Sequence, residues 1–322
     1  MKITRRITIA FTQTAFALAV GYSGAAHSQS AADPLAEARD FITTGQFAKS
    51  EAWLHVYLST HPASADAHFL LGYVFFREEK ARESLAEFTA GAALRHPKAD
   101  EFKTIASDYV LLGDYTDADK WFTEVISETP KDAETWYLLG RTKYNEGRYE
   151  EGIASFEHAL ELRPKDVKSE NNLGLCRREL TQLKEAKAAF ETAIEWQGQT
   201  PADAQPFLNL GTLEADAGDW EKAIGHLAQA AALSPGNPKI HEQLGAAYQE
   251  HGDMPKAEAE LVRAITLAPN SSGAHFKLAG LYRKEGKRDL AKQEFDTCAR
   301  LNSTHSSSDT PNPYLPNSSS PK

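Results

Sequence analysis

His241-Glu242-Gln243-Leu244-Gly245 opens as the helix of a zinc-dependent hydrolase would, with a histidine followed by a glutamate able to act as general base. Such a site needs a second histidine one turn on, and Gly245 stands there instead. Gly280 to Lys287 has the outline of a phosphate loop, but five residues separate Gly280 from Gly286, and Arg288 takes the place of the hydroxyl residue that ligates magnesium. No Gly-x-Ser-x-Gly elbow occurs, and the many Asp and Glu side chains follow the pattern of solvated helix faces. The two cysteines, Cys176 and Cys298, stand where small packed residues are expected and lie too far apart in sequence to meet in an extended repeat fold. These residues imply no catalytic centre, no metal and no cofactor, so the chain reads as non-enzymatic.

The same residues make better sense as parts of a repeat. Eight units of 34 positions begin at Ala31, Ala65, Ala99, Ala133, Val167, Ala204, Pro238 and Ser272, with one three-residue slip before the sixth. Position 8 is always small (Ala38, Gly72, Ala106, Gly140, Gly174, Gly211, Gly245, Ala279), and so is position 20 (Ser50, Ser84, Ala118, Gly152, Ala186, Ala223, Ala257, Ala291). Position 24 is bulky: Leu54, Phe88, Phe122, Phe156, Phe190, Leu227, Leu261 and Phe295. Two helices that cross closely need a missing side chain at the crossing and a large one beside it, so each unit is predicted to be a helical hairpin. Glycine at position 15 (Gly45, Gly113, Gly147, Gly218, Gly252, Gly286) suits the left-handed end of the first helix. Proline at position 32 (Pro62, Pro130, Pro164, Pro235, Pro269) ends the second. His68, His241 and His275 all fall at position 4, where packing against the preceding unit is a better reading than metal ligation.

Trp136, Leu139, Gly140, Gly147, Tyr149, Phe156, Ala159 and Pro164 stand as in the tetratricopeptide repeat, and the chain resembles that family from residue 31 to about 302. The resemblance implies an all-α fold, a right-handed α-solenoid of eight tandem hairpins over 31–64, 65–98, 99–132, 133–166, 167–203, 204–237, 238–271 and 272–302. Repeat one departs from the pattern with Pro34, Glu37 and Tyr57, and repeat five with Glu170, Thr181 and Gly198. No polar helix is expected after repeat eight. Its second helix turns Lys292, Gln293, Asp296 and Arg300 outward, which suggests that the repeat caps itself.

Residues 1–28 carry Lys2, Arg5 and Arg6, then an apolar stretch from Ile7 to Val20, then small residues, which resembles a signal peptide cleaved after Ser28. That stretch is too short to span a bilayer, so no stable membrane insertion is expected after cleavage. The expected location is outside the cytoplasm, periplasmic or secreted. Cleavage would remove three of the 35 basic residues and none of the 45 acidic ones, making a formal charge of −10 more negative by three. An acidic body disfavours nucleic acid as a partner. Residues 303–322 turn to Ser, Pro and Asn, the composition of a disordered tail, with glycosylation triplets at Asn302 and Asn317.

In the family, first helices line a concave groove through positions 2, 5, 6, 9, 12 and 13. Carried onto this sequence, those positions hold Phe69, Tyr73 and Phe76, then Tyr137, Arg141 and Tyr144, as an aromatic wall with one cation. Farther along, Asn172, Asn209 and Gln243 repeat a carboxamide at position 6, flanked by Lys168, Asn171 and Arg178. A carboxamide both donates and accepts, so such a ladder is suited to the backbone of an extended peptide. The function implied is a protein–protein interaction scaffold of the cell envelope. A glycan- or substrate-presenting subunit of an enzyme or export complex is the alternative, since aromatic faces also stack on sugars.

Overall fold

The computed structural model describes residues 33–307. The signal-peptide reading of 1–28 and the tail beyond Ser307 lie outside the described residues. Among these there are sixteen helices and no strand, paired as eight hairpins. The described residues divide into two compact units, one ending at Glu128 and the other beginning at Thr129. The first holds α1 (Ala36–Thr43), α2 (Phe47–Thr60), α3 (Ala65–Arg77), α4 (Ala81–Ala92), α5 (Ala99–Leu112) and α6 (Tyr115–Glu128). The second holds α7 (Ala133–Asn145), α8 (Tyr149–Leu162), α9 (Val167–Glu179), α10 (Leu183–Glu195), α11 (Gln205–Asp216), α12 (Trp220–Leu233), α13 (Pro238–His251), α14 (Met254–Leu267), α15 (Ser272–Lys284) and α16 (Arg288–Ser307).

The crossing predicted from small and bulky residues is present in both units. A Cβ placed on Gly140 would lie 2.7 Å from the Phe156 ring, and one on Gly174 2.6 Å from Phe190, so any side chain there would push the two helices apart. Phe122, Phe156 and Phe190 have no exposed surface, which makes position 24 the anchor of these hairpins. Successive hairpins within a unit then share a core. Phe190 on α10 packs with Leu210 and Leu213 on α11, and Leu227 on α12 with Ile240, Leu244 and Ala247 on α13.

Boundaries follow local chemistry. Asp132, Asp166, Asn237 and Ser271 cap α7, α9, α13 and α15 by accepting from backbone N–H groups of the first turn. Second helices stop two residues before proline, as at Leu162 before Pro164. The three-residue slip is taken up in the loop before α11, where Gln197 Oε1 accepts from the amides of Ala202 and Asp203 at 3.0 and 2.8 Å. Glycine turns as expected at Gly113 and Gly252, but Glu79 and Thr181 adopt the same left-handed backbone with φ of 61°. At the carboxyl end the expected boundary is corrected. Helix α16 continues through Ser303 to Ser307, so the Asn302-Ser303-Thr304 triplet lies on a helix.

Candidate functional site

The position-4 histidines have a structural task. Nδ1 of His68, His241 and His275 meets Glu87, Glu260 and Glu294 at 2.6, 2.6 and 2.5 Å. Nε2 of each meets the carbonyl of Pro62, Pro235 or Pro269 at 3.1, 3.0 and 3.0 Å. Trp136 in repeat four donates to the Pro130 carbonyl at 2.9 Å in the same way. Each ring ties a first helix to the turn that precedes it, and neither ring nitrogen is left for a metal. Among the described residues no cluster of three or more His, Cys, Asp or Glu side chains could hold one. Both thiols are free and buried, and burial pushes Cys176 up to about 12, out of the range of a neutral-pH nucleophile.

In the first unit the expected aromatic trio separates. Phe69 is 3% exposed, its ring 5.8 Å from Phe88 and covered by the Arg95 guanidinium at 4.1 Å. It belongs to the core, which corrects its reading as a contact residue: position 5 is covered by the hairpin that follows. Tyr73 and Phe76 remain half-buried on α3 with ring centroids 6.3 Å apart. Arg77, not anticipated from the sequence, donates to the Tyr73 hydroxyl at 3.1 Å and stacks on Phe47 at 4.7 Å.

In the second unit Tyr137, Arg141 and Tyr144 are half-buried on α7, with the Arg141 guanidinium 5.8 Å from the Tyr137 ring. Burial raises both tyrosine hydroxyls, Tyr144 to about 12, so both stay neutral donors at physiological pH. Lys168 is exposed on α9 and makes no ion pair among the described residues, while Arg178 meets Glu179 at 3.1 Å. The carboxamide ladder is not three equal rungs. Asn209 is 9% exposed and donates to Asn171 Oδ1 at 2.8 Å, and Asn171 is itself 5% exposed, so these two fasten α11 to α9. Both are therefore corrected from ligand groups to packing groups. Asn172 donates to the Lys168 carbonyl at 2.8 Å within its own helix, and Gln243 is half-buried on α13 without a hydrogen-bond partner among the described residues.

Sequence reasoning missed Glu242, 8% exposed at position 5 of repeat seven. Burial works against its ionisation, but bonds from Lys277 at 2.7 Å and Lys239 at 3.3 Å outweigh it and hold the carboxyl below its usual range. Lys277 lies one repeat beyond Glu242, a pairing that only the stacking of α13 with α15 reveals.

Sequence profiles of the tetratricopeptide repeat match residues 35–99, 133–166, 165–236, 214–272 and 272–305. The chain is a tetratricopeptide repeat protein. Residues 100–132 fall between the matched segments, yet α5 and α6 form the same hairpin there. This tetratricopeptide repeat protein is similar to one from Parabacteroides merdae, at 16% identity over 82% of this chain and 97% of that one, with a TM-score of 0.63. It is similar to PilW, a type IV pilus biogenesis factor, at 20% identity over 66% of this chain and 95% of that one, with a TM-score of 0.57. The hetero-tetramer Cut9-Hcn1 of the APC/C is matched at 18% identity and a TM-score of 0.61, over 84% of this chain but only 52% of the other. At such identities the likeness shows the fold alone. No curated protein is significantly similar in sequence. Tetratricopeptide repeat proteins are generally non-catalytic adaptors that bind protein or peptide partners.

Proposed function

We propose that this tetratricopeptide repeat protein is an exported, non-catalytic scaffold of the cell envelope, periplasmic or secreted, that holds an extended segment of another protein along the first helices of its second unit. The observation that carries this reading is a set of side chains there whose polar ends have no partner among the described residues. Among the described residues Lys168 makes no ion pair and Gln243 no hydrogen bond, and both lie on first helices of the unit that also carries the half-buried Tyr137 and Tyr144. An extended chain supplies both carbonyls for the ammonium and alternating donors and acceptors for the carboxamide. Tyrosines add area at low entropic cost. Export is supported by the basic, apolar and small-residue order of residues 1–28. The glycan alternative is weakened by the burial of Phe69, which removes one aromatic face of the expected wall.

Crosslinkers placed at Gln243 and, as a control, at Glu157 on α8 test the site in the native envelope. The variant carrying Lys168→Ala, Asn172→Ala and Gln243→Ala should hold the captured protein at least about tenfold more weakly. Its melting temperature should stay unchanged, because none of the three side chains is buried. Unaltered affinity would remove the peptide site. Sequencing the amino terminus of the protein from the envelope fraction tests export, with Gln29 expected first and a cytoplasmic protein starting at Met1 contradicting it.

A further inference from the structure

Within each unit, one hairpin receives the next through the same set of positions. Leu208 at position 5 and Leu227 at position 24 meet Ile240, Leu244 and Ala247 of the following first helix, which stand at positions 3, 7 and 10. Position 21 adds a polar tie to position 11 of that helix: Lys187 to Glu214 at 3.2 Å, and Glu258 to the Tyr282 hydroxyl at 2.9 Å.

Hairpin eight repeats this receiving face, and among the described residues no hairpin covers it. Phe276, equivalent to Leu208 at 8% exposure, is 59% exposed, and Phe295 is only half-buried where Leu227 has no exposed surface. The two rings stand edge to face at 5.7 Å. The expectation that repeat eight caps itself is therefore corrected, because its outward polar residues leave these rings open. Its rim is basic. Arg283 lies 5.7 Å from the Phe295 ring with no ion pair among the described residues, and Lys292, at the position of Lys187, meets only the exposed Asp296 of its own helix, at 3.3 Å. Residues 272–307 carry seven Lys and Arg against four Asp and Glu in a chain whose formal charge is −10.

The opposite end of the chain is finished differently. At positions 3, 7 and 10 repeat one has Asp33, Glu37 and Asp40, all exposed. A second copy stacked head to tail would bury those carboxylates against Phe276 and Phe295, a costly arrangement. We propose that the open face of hairpin eight docks an acidic amphipathic helix of a partner protein. That helix has apolar side chains at i, i+4 and i+7 over Phe276 and Phe295 and a carboxylate at i+8 on Lys292. The spacing is that of α11, where Leu210, Leu213 and Glu214 occupy the corresponding places. This site is separate from the peptide site on the second unit and stands or falls without it.

The test titrates the full chain into a fluorescein-labelled synthetic helix with leucine at i, i+4 and i+7 and glutamate at i+8, beside a control of equal composition with the leucines spread around the helix. Anisotropy should rise with the first peptide and not with the control. Phe276→Ser should weaken binding about tenfold or more. Lys292→Glu should weaken it too, and a peptide with lysine at i+8 should recover the loss. Neither variant should shift the melting temperature, since both side chains are exposed. Absence of binding, or equal binding by Phe276→Ser, overturns the proposal. Tighter binding after truncation at Ser307 would make residues 308–322 the natural occupant. Concentration-dependent association abolished by Phe276→Ser would make it a second copy, and either result also overturns the proposal.

Discussion

Asp108 on α5 and Glu214 on α11 stand one position apart in the repeat, at 0% and 3% exposure, and the two junctions handle the buried carboxyl in opposite ways. Glu214 is met by Lys187 at 3.2 Å and His226 at 2.7 Å, so its charge is balanced. Among the described residues Asp108 has only the Ser84 hydroxyl, at 2.5 Å, and its Oδ1 has no partner. Ser84 also lies 2.8 Å from the Gly72 carbonyl, and one hydroxyl hydrogen cannot serve two acceptors. A protonated Asp108 resolves this, donating to Ser84 while Ser84 donates to Gly72. Burial pushes the Asp108 carboxyl up to about 7, against the pull of Ser84, which agrees with the hydrogen count. The comparison teaches that one architecture accepts an ion pair or a neutral acid at nearly the same place, with different dependence on pH.

The largest expected effect follows from Asp108. Its folded pKa is raised from 3.8 to about 7, so its favourable share of stability is complete below pH 4, declines as pH rises toward 7, and is absent above. At about 1.4 kcal/mol per unit the full swing is on the order of 4 kcal/mol. Asp108→Asn keeps the shape and cannot ionise. Thermal melts should place the variant level with the parent at pH 4 and well above it at pH 8. A difference that does not grow between those values would show that Asp108 is not a neutral acid in the folded chain.

The paired junction should respond in the other sense and by less. Lys187→Met leaves Glu214 with His226 alone in a buried place and should cost about 1–3 kcal/mol, read as a lower urea midpoint at neutral pH. Adding Glu214→Gln should return part of the loss, because the charge left without its lysine is then gone. If the double variant is no better than the single one, the lysine acts through its methylene packing.

Much of this was legible in the sequence, and the limit has a physical shape. The hairpins could be read because Gly140 and Phe156 answer a steric need that recurs in every unit, and eight copies of one constraint are hard to mistake. Position 4 was legible as packing for the same reason. Contacts made once were not. Asn209 looks like a ligand group until α9 and α11 are set side by side and Asn171 accepts its amide. Phe69 looks like a groove aromatic until the next hairpin covers it, and Phe276, at the same position, is exposed because no hairpin among the described residues packs over it. The sign of position 5 is decided by a neighbour, which no residue type encodes.

The two junctions also share a weakness in their turns. The hairpins that supply Ser84 and Lys187 are those that lack glycine at position 15, where Glu79 and Thr181 hold a φ of 61°. A left-handed backbone costs an L residue about 1–2 kcal/mol, with β-branched threonine worse placed than glutamate. Glycine removes that strain but adds about 0.5–1 kcal/mol of freedom to the unfolded chain. The turn's bonds, Thr181 N–H to Arg178 at 2.9 Å and Leu183 N–H to Thr181 at 3.0 Å, involve backbone alone and survive the change. Thr181→Gly should therefore gain up to about 1 kcal/mol and Glu79→Gly close to nothing, compared in parallel melts. Equal shifts would mean that branching at Cβ is not what separates the two turns. A loss at Thr181 would mean that its methyl and hydroxyl hold the turn through contacts stronger than the strain they impose.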